Sequence, residues 1–201
     1  TRDVDVTLRG RPSVNVREPR QRNQAVLDLL QEYAAINLSD YFDYVIGEVM
    51  MDVDSPGYGG ARFPVEARID GRRFVTFHID VAVGDVLIEP FERMEGRGWL
   101  DFAEIPRPSM QAISAEQQFA EKLHAYTLPR QNPNSRVRDL VDMLLLVESG
   151  KLSPDLTASA IRATFAKRKT HPVPQKFAEP PSNWATPFAA LAEECGIPVD
   201  V

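Results

Sequence analysis

Cysteine and long apolar runs are both scarce in this sequence. Its 201 residues include a single cysteine, Cys195, which excludes a disulfide within the chain and is typical of a reducing compartment. The longest apolar runs have five residues, as in "MLLLV" at residues 143–147, and are far too short to span a bilayer. These absences predict a cytoplasmic protein that does not engage a membrane.

Basic residues are outnumbered by acidic ones, 23 to 29, and the formal net charge of −6 argues against a protein that coats nucleic acid. Two stretches depart from this balance. Residues 9–22 hold five arginines and one acid, and residues 156–178 hold five Lys or Arg and no acid. Such stretches are most often solvated surface, and the alternative is a local contact with phosphate groups.

The first half of the chain carries alternating or β-branched segments that predict strands. The dipeptide Asp70-Gly71 lies between two of these segments and predicts a hairpin turn. The opening segment is expected to be a central strand, and residues 9–21 a loop. The predicted strands cover residues 3–8, 40–53, 61–69 and 74–83, with weaker candidates at 85–90 and 98–105.

The second half reads as helical. Ser114 and Gln117 form a capping box, Ser135 is a candidate cap for the next helix, and Ser153 precedes a proline at a helix start. An earlier amphipathic helix is predicted at residues 23–34. We therefore predict an α+β fold: a mixed β-sheet with flanking helices at 1–112, and a helical C-terminal lobe at 113–201.

Acidic side chains within apolar strands are the main chemical signal. Asp3 and Asp5 are one residue apart, so in a strand they share a face and repel each other. Asp80 lies between Ile79 and Val81 in a later strand. Burying such acids is costly without a partner, and a divalent cation is a suitable one. The three aspartates predict a Mg²⁺ or Mn²⁺ site; the alternative is surface acids on amphipathic edge strands.

Two charged helices follow. Lys122 lies within one predicted helix, and Asp139 lies in the first turn of the next, where the helix dipole favours a carboxylate. Each residue also has an explanation without a functional role. Lys122 would then be a solvated surface lysine, and Asp139 would be part of an ordinary helix start. His124 and His171 are expected at the surface.

In their order along the chain, these segments resemble the AbiEii-type nucleotidyltransferase toxin family of the polymerase-beta-like nucleotidyltransferase superfamily. The superfamily has an acid pair in one hydrophobic strand and a third acid in a later one, as in "DVDV" and "IDV" here. The family adds a Ser/Thr two residues before the pair, an "EK-hydrophobic-x-A" helix and an "[RK]D-x-x-D" helix. Thr1, "AEKLHA" and "RDLVDM" match these, so the resemblance covers residues 1–147.

The resemblance implies that the α+β fold is a nucleotidyltransferase-like mixed β-sheet with flanking helices plus a helical C-terminal lobe. It also implies an enzyme that transfers a nucleoside monophosphate from an NTP and releases pyrophosphate. It implies that Asp3, Asp5 and Asp80 hold the catalytic Mg²⁺ or Mn²⁺ ions, and that Asp80 also draws the proton from the attacking hydroxyl. Lys122 would contact the triphosphate, and Asp139 would orient Lys122 or the acceptor.

Further partners are implied in the same way. The nucleotide-binding set would be Thr1, Lys122, Arg136 and Arg138. The family belongs to toxin–antitoxin pairs, so a cognate antitoxin protein is expected, and some related enzymes modify the 3′ end of tRNA. An RNA acceptor would then meet four basic side chains: Arg162, Lys167, Arg168 and Lys169.

One superfamily feature has no counterpart in the sequence. A Gly-Gly/Ser-Ser/Thr turn normally precedes the acid pair and cradles the triphosphate, whereas nothing precedes Thr1 here. We expect the chain to be part of a longer protein that carries this turn upstream. The alternatives are a catalytically inactive binding module on the same fold, and a phosphotransferase that moves a γ-phosphoryl group.

Overall fold

The chain forms strands in its first part and helices in its second. The structure is a computed structural model that describes residues 3–9, 18–52, 59–84, 87–98, 100–131 and 134–197. The strands are β1 (Asp3–Leu8), β2 (Phe42–Ile46), β3 (Met51–Asp52), β4 (Gly59–Ile69), β5 (Arg72–Val83), β6 (Glu92–Glu95) and β7 (Ser109–Ala112). The helices are α1 (Pro19–Ala34), α2 (Ala115–Thr127), α3 (Val137–Glu148), α4 (Pro154–Arg168) and α5 (Ala185–Cys195). The predicted α+β class is confirmed.

Contacts divide the chain into two compact units. The first unit comprises Thr1–Asp85 and Glu95–Pro108, and the second comprises Val86–Met94 and Ser109–Val201. The first unit holds a five-stranded mixed sheet in the order β1-β5-β4-β2, with β3 also paired to β4. The strands β6 and β7 pair in a separate two-stranded sheet.

The hairpin of β4 and β5 is the longest pairing in the sheet. Its turn is Asp70-Gly71, with φ of 50° and 69°, as the sequence predicts for this dipeptide. A register shift follows between Ala67 and Arg68, so that the rest of the ladder is displaced by one residue. The displacement puts Arg62 opposite Asp80, where a regular ladder counted from the turn would put Ala61.

One face of this sheet is covered by α1. Val26 and Leu27 of the helix pack against strand residues that include Phe63, Val65 and Val81, all of them buried. The residues between these positions point to the opposite face, and Arg62 and Asp80 are among them. The helix begins at Pro19, four residues before the predicted start, because Glu18 caps it by accepting hydrogen bonds from the Arg20 and Gln21 amides.

In the second unit, α2 packs against both α3 and α4, and buried aromatic residues lie in the core between them. Ser114 caps α2 by accepting from the Gln117 amide at 3.2 Å, and Ser153 precedes Pro154 at the start of α4, as predicted. The expected cap at Ser135 is wrong, since Arg136 is the N-cap residue of α3 and makes no side-chain cap bond.

A histidine network with one buried ring lies within this unit, and His171 in it is partly exposed. His124 is only 5% exposed, contrary to the surface position expected for it, and its ring packs edge-on against Phe165. Its Nε2 is hydrogen-bonded to Thr170 Oγ1 at 2.7 Å, and that hydroxyl is bonded to His171 Nδ1 at 2.9 Å. The sequence prediction failed because the polar partners that make burial tolerable are 46 residues away.

Several strand predictions are corrected by the structure. The segment at 40–53 is not one strand, since residues 47–50 separate β2 from β3. The weak candidates at 85–90 and 98–105 form no strand in their described residues, and Asp101–Ala103 is a 3₁₀ turn instead. In the described sheet β1 is an edge strand and not a central one, with Val4 46% and Val6 36% exposed.

Candidate active site

The predicted carboxylates of the first unit lie on one face of the sheet. β1 pairs with β5 in parallel, with Asp3 opposite His78 and Asp5 opposite Asp80. Paired positions on adjacent strands project to the same side, about 4.8 Å apart. Asp3, Asp5 and Asp80 therefore share the face opposite α1, although 75 residues separate Asp5 from Asp80 in the chain.

Two basic side chains contact these acids. Arg62 on β4 donates to Asp80 through both arms of its guanidinium, with Nε–Oδ1 of 2.7 Å and an Nη2–Oδ2 distance of 2.6 Å. His78 Nδ1 is 3.1 Å from Asp3 Oδ1. The hydrogen bonds that Arg62 donates to Asp80 raise the pKa of Arg62 above its usual value, and the charges of Asp80, Asp3 and Asp5 add to this effect.

The donor chemistry of this face suits a hard divalent cation. Three carboxylates on two adjacent strands supply the oxygen ligands that Mg²⁺ and Mn²⁺ prefer. Among the residues that the structure describes, no three His, Cys, Asp or Glu side chains are gathered closely enough to hold a metal ion as they stand. Arg62, a cation, is bound to Asp80 in the arrangement observed. The three carboxylates are thus of the chemical type that the ion prefers and lie on the same face of the sheet, and an arginine contacts one of them.

A second charged cluster lies between α2 and α3 in the second unit. Lys122 Nζ donates to Asp142 Oδ2 at 2.5 Å and is 3.8 Å from Asp139 Oδ1. Arg136 Nη1 donates to Asp139 Oδ2 at 3.3 Å. Asp139 and Asp142 are three residues apart and share a helix face, so both carboxylates reach the same lysine. The cluster holds the Lys122 ammonium in one position on α2.

The other predicted site residues have varied surroundings. Arg138, Arg162, Lys167 and Lys169 are exposed, and Lys169 ends α4 with a φ of 50°. Arg168 is half-buried and donates to Glu121 Oε2 at 2.6 Å, so its guanidinium is engaged within the fold. Thr1 lies outside the described residues.

Comparison with known families identifies the family of the chain. A family model described as "Nucleotidyl transferase AbiEii toxin, Type IV TA system" matches residues 1–196. The chain belongs to the AbiEii family. A comparison with curated proteins finds no match. Membership confirms the resemblance read from the four motifs, and it extends the match beyond residue 147 through α5.

AbiEii membership makes the chain a member of a family of nucleotidyltransferase toxins from type IV toxin–antitoxin systems. Such a family carries an antitoxin as a partner of its toxin. The predicted nucleotidyltransferase-like fold is confirmed with it. Across the described parts of the chain, every helix is too short or too polar to traverse a bilayer.

Two polar contacts of these clusters were missed by the sequence analysis. Asp142 belongs to the "RDLVDM" motif, and its spacing of three from Asp139 was the available signal. Arg62 gave a weaker signal, since its position opposite Asp80 depends on the register shift in the hairpin. Both residues pair with an ionic side chain that the sequence analysis had singled out.

Proposed function

We propose that this AbiEii-family protein transfers a nucleoside monophosphate from an NTP to an acceptor and releases pyrophosphate. The observation that supports this most strongly is the parallel register of β1 and β5, with Asp5 opposite Asp80 and Asp3 on the same face. Carboxylates from two strands so close together form a concentration of negative charge that a nucleotide alone would avoid. A divalent cation reverses that preference.

Asp3, Asp5 and Asp80 would hold Mg²⁺ or Mn²⁺ in this reaction. The bound ions would supply charge neutralisation for the phosphates and activation of the attacking oxygen. Asp80, on β5 between β1 and β4, is the acid that would accept the proton of the attacking hydroxyl.

Lys122 would neutralise charge on the triphosphate, as a point charge held in place by two carboxylates. The 2.5 Å contact with Asp142 and the nearby Asp139 restrict its ammonium. Arg136 and Arg138 would contribute further positive charge at the start of α3, and Thr1 would belong to the phosphate-binding turn. Asp139, which contacts both Lys122 and Arg136, would orient them.

An RNA acceptor, such as the 3′ end of tRNA, would be met by basic residues of α4 and the segment after it. Arg162, Lys167 and Lys169 are exposed, which suits contact with phosphates. Arg168 would contribute less than these three, because its ion pair with Glu121 neutralises most of its charge. We propose a cytoplasmic site of action, where both tRNA and a cognate antitoxin are available.

The test is transfer of label from α-labelled NTPs to total tRNA by the wild-type chain and by Asp5→Asn. Loss of one carboxylate should lower incorporation on the order of 100-fold. Asp43→Asn is a matched control, since it makes the same change on an exposed position of β2 and should retain activity. Asp5→Asn should keep or slightly raise the melting temperature in metal-free buffer, because relief of its repulsion with Asp3 and Asp80 at least offsets the lost attraction to Arg62.

Equal incorporation by the wild type and Asp5→Asn would refute the proposal. Absence of label transfer by the wild type would instead indicate a binding module. Transfer from γ-labelled but not α-labelled NTP would identify a phosphotransferase.

A further inference from the structure

Arg62 binds Asp80 through its guanidinium, on the face of the sheet where the metal is proposed. Its planar group meets both oxygens of the carboxylate, at 2.7 and 2.6 Å. This two-point geometry is specific to arginine and uses both oxygens of Asp80 at once. A divalent ion shared by Asp5 and Asp80 needs at least one of those same oxygens.

The arginine also lies in the field of the neighbouring acids. Asp3 and Asp5 on β1 both act electrostatically on the Arg62 guanidinium, in addition to its contact with Asp80. Arg62 therefore supplies part of the positive charge that this face requires. A divalent ion in the same place would supply more of it and would repel the guanidinium.

The side chain of Arg62 can move away from Asp80 into solvent. Its side chain is 33% exposed, whereas that of Asp80 is 20% exposed, so the arginine lies on the solvent side of the pair. Rotation of a long exposed side chain is rapid and needs no change in the sheet. Asp80 is held more firmly, because it projects from the middle of the sheet between β1 and β4.

We propose that Arg62 is a positioning residue that holds Asp80 by taking the place of a cation, and that a divalent ion must displace it to bind. This inference rests on the proposed function, because it takes the ion to bind at Asp5 and Asp80. Arg62 keeps the Asp80 carboxylate oriented across the strands and weakens the binding of metal ions in the absence of nucleotide. It thereby couples occupancy of the metal site to the arrival of a nucleotide that brings its own charge and ions.

The experiment measures Mn²⁺ binding to the whole chain without nucleotide, by electron paramagnetic resonance of free and bound ion. Arg62→Met should tighten Mn²⁺ binding by about tenfold or more, since a competing cation has been removed from its ligand. Arg62→Lys keeps the charge but lacks the two-point fork, so it should give an intermediate affinity.

Arg68→Met is the matched control. It removes the same charge from the same strand, but Arg68 is paired with Glu66 at 2.6 Å and does not contact Asp80. Its Mn²⁺ affinity should stay within about twofold of the wild type. The double variant Arg62→Met/Asp80→Asn should lose the tightening, because the ligand that Arg62 competes for is gone.

Unchanged or weaker Mn²⁺ binding in Arg62→Met would overturn the proposal, as would a lack of saturable binding in both proteins. Tightening that persists in the double variant would also contradict it. Failure of the proposed function has a separate signature: Mn²⁺ binding tightens in Arg62→Met, but no protein transfers label from α-labelled NTP. In that case Arg62 remains a competitor for the metal in a protein with another activity.

Discussion

The buried histidine of the second unit gives the stability of the fold a defined dependence on pH. Burial lowers the pKa of His124 to about 4, and the nearby Arg168 and His171 charges contribute in the same direction. The unfolded chain keeps the ordinary pKa of about 6.5, so it binds more protons than the native state between these values. The free energy of unfolding is therefore not reduced by His124 above about pH 6.5, and it is reduced progressively as the pH decreases toward 4.

The magnitude follows from the two pKa values. At about pH 7.5 almost no His124 is protonated in either state, and the linkage contribution is close to zero. At about pH 5 the unfolded ring is mostly charged and the native ring mostly neutral, which costs about 2 kcal/mol of unfolding free energy. That loss is a considerable part of the stability of an ordinary domain.

The assay is urea unfolding followed by the fluorescence of Trp184, which is buried beside Tyr126 in the same unit. A Trp99→Phe background makes Trp184 the only source of the signal. His124→Gln should lower stability at about pH 7.5 but remove about 2 kcal/mol of the further loss seen at about pH 5. His78→Gln, a histidine of the first unit, should leave that further loss in place.

An identical pH dependence in His124→Gln and its parent would refute the reasoning. It would mean that His124 is charged in the native state, with the Thr170 hydroxyl acting only as an acceptor. His171, whose pKa burial also lowers, would be the next ring to replace.

Two further predictions concern the packing and capping of the fold. Phe63 is completely buried beneath α1, so Phe63→Ala should cost about 3–5 kcal/mol in chemical denaturation, and a loss below 1 kcal/mol would show that the core can collapse around the cavity. Ser114→Ala should cost about 1 kcal/mol because it removes the cap of α2, whereas Ser153→Ala should cost little, since Ser153 makes no side-chain cap bond; equal losses would contradict the capping assignment.

Local signals in the sequence were sufficient for the hairpin and for two helix starts. Asp70-Gly71 specifies a turn by its own backbone preference, Ser114 caps α2 through an amide within one turn of itself, and Pro154 suits the first position of α4. The strands β6 and β7 were missed because four residues without alternation carry little information about pairing.

The arrangement of the candidate site was predictable only in part. The face shared by Asp3 and Asp5 follows from alternation along one strand, and Asp80 was predicted as their companion because it is an acid within an apolar strand. The contact between Arg62 and Asp80 depends on a one-residue register shift near Arg68, which no local sequence pattern predicts. The pairing of Lys122 with Asp142 likewise depends on how two helices pack.

The parallel pairing of β1 with β5 has a consequence for the order in which the sheet assembles. Arg62 and Asp80 are 18 residues apart and meet within one hairpin, whereas His78 and Asp3 are 75 residues apart. Closing the longer loop costs about 1 kcal/mol more in chain entropy, so the hairpin contacts are favoured to form earlier. In the folding chain, Asp80 is then already paired with Arg62 when β1 joins the sheet and brings Asp3 and Asp5 next to it.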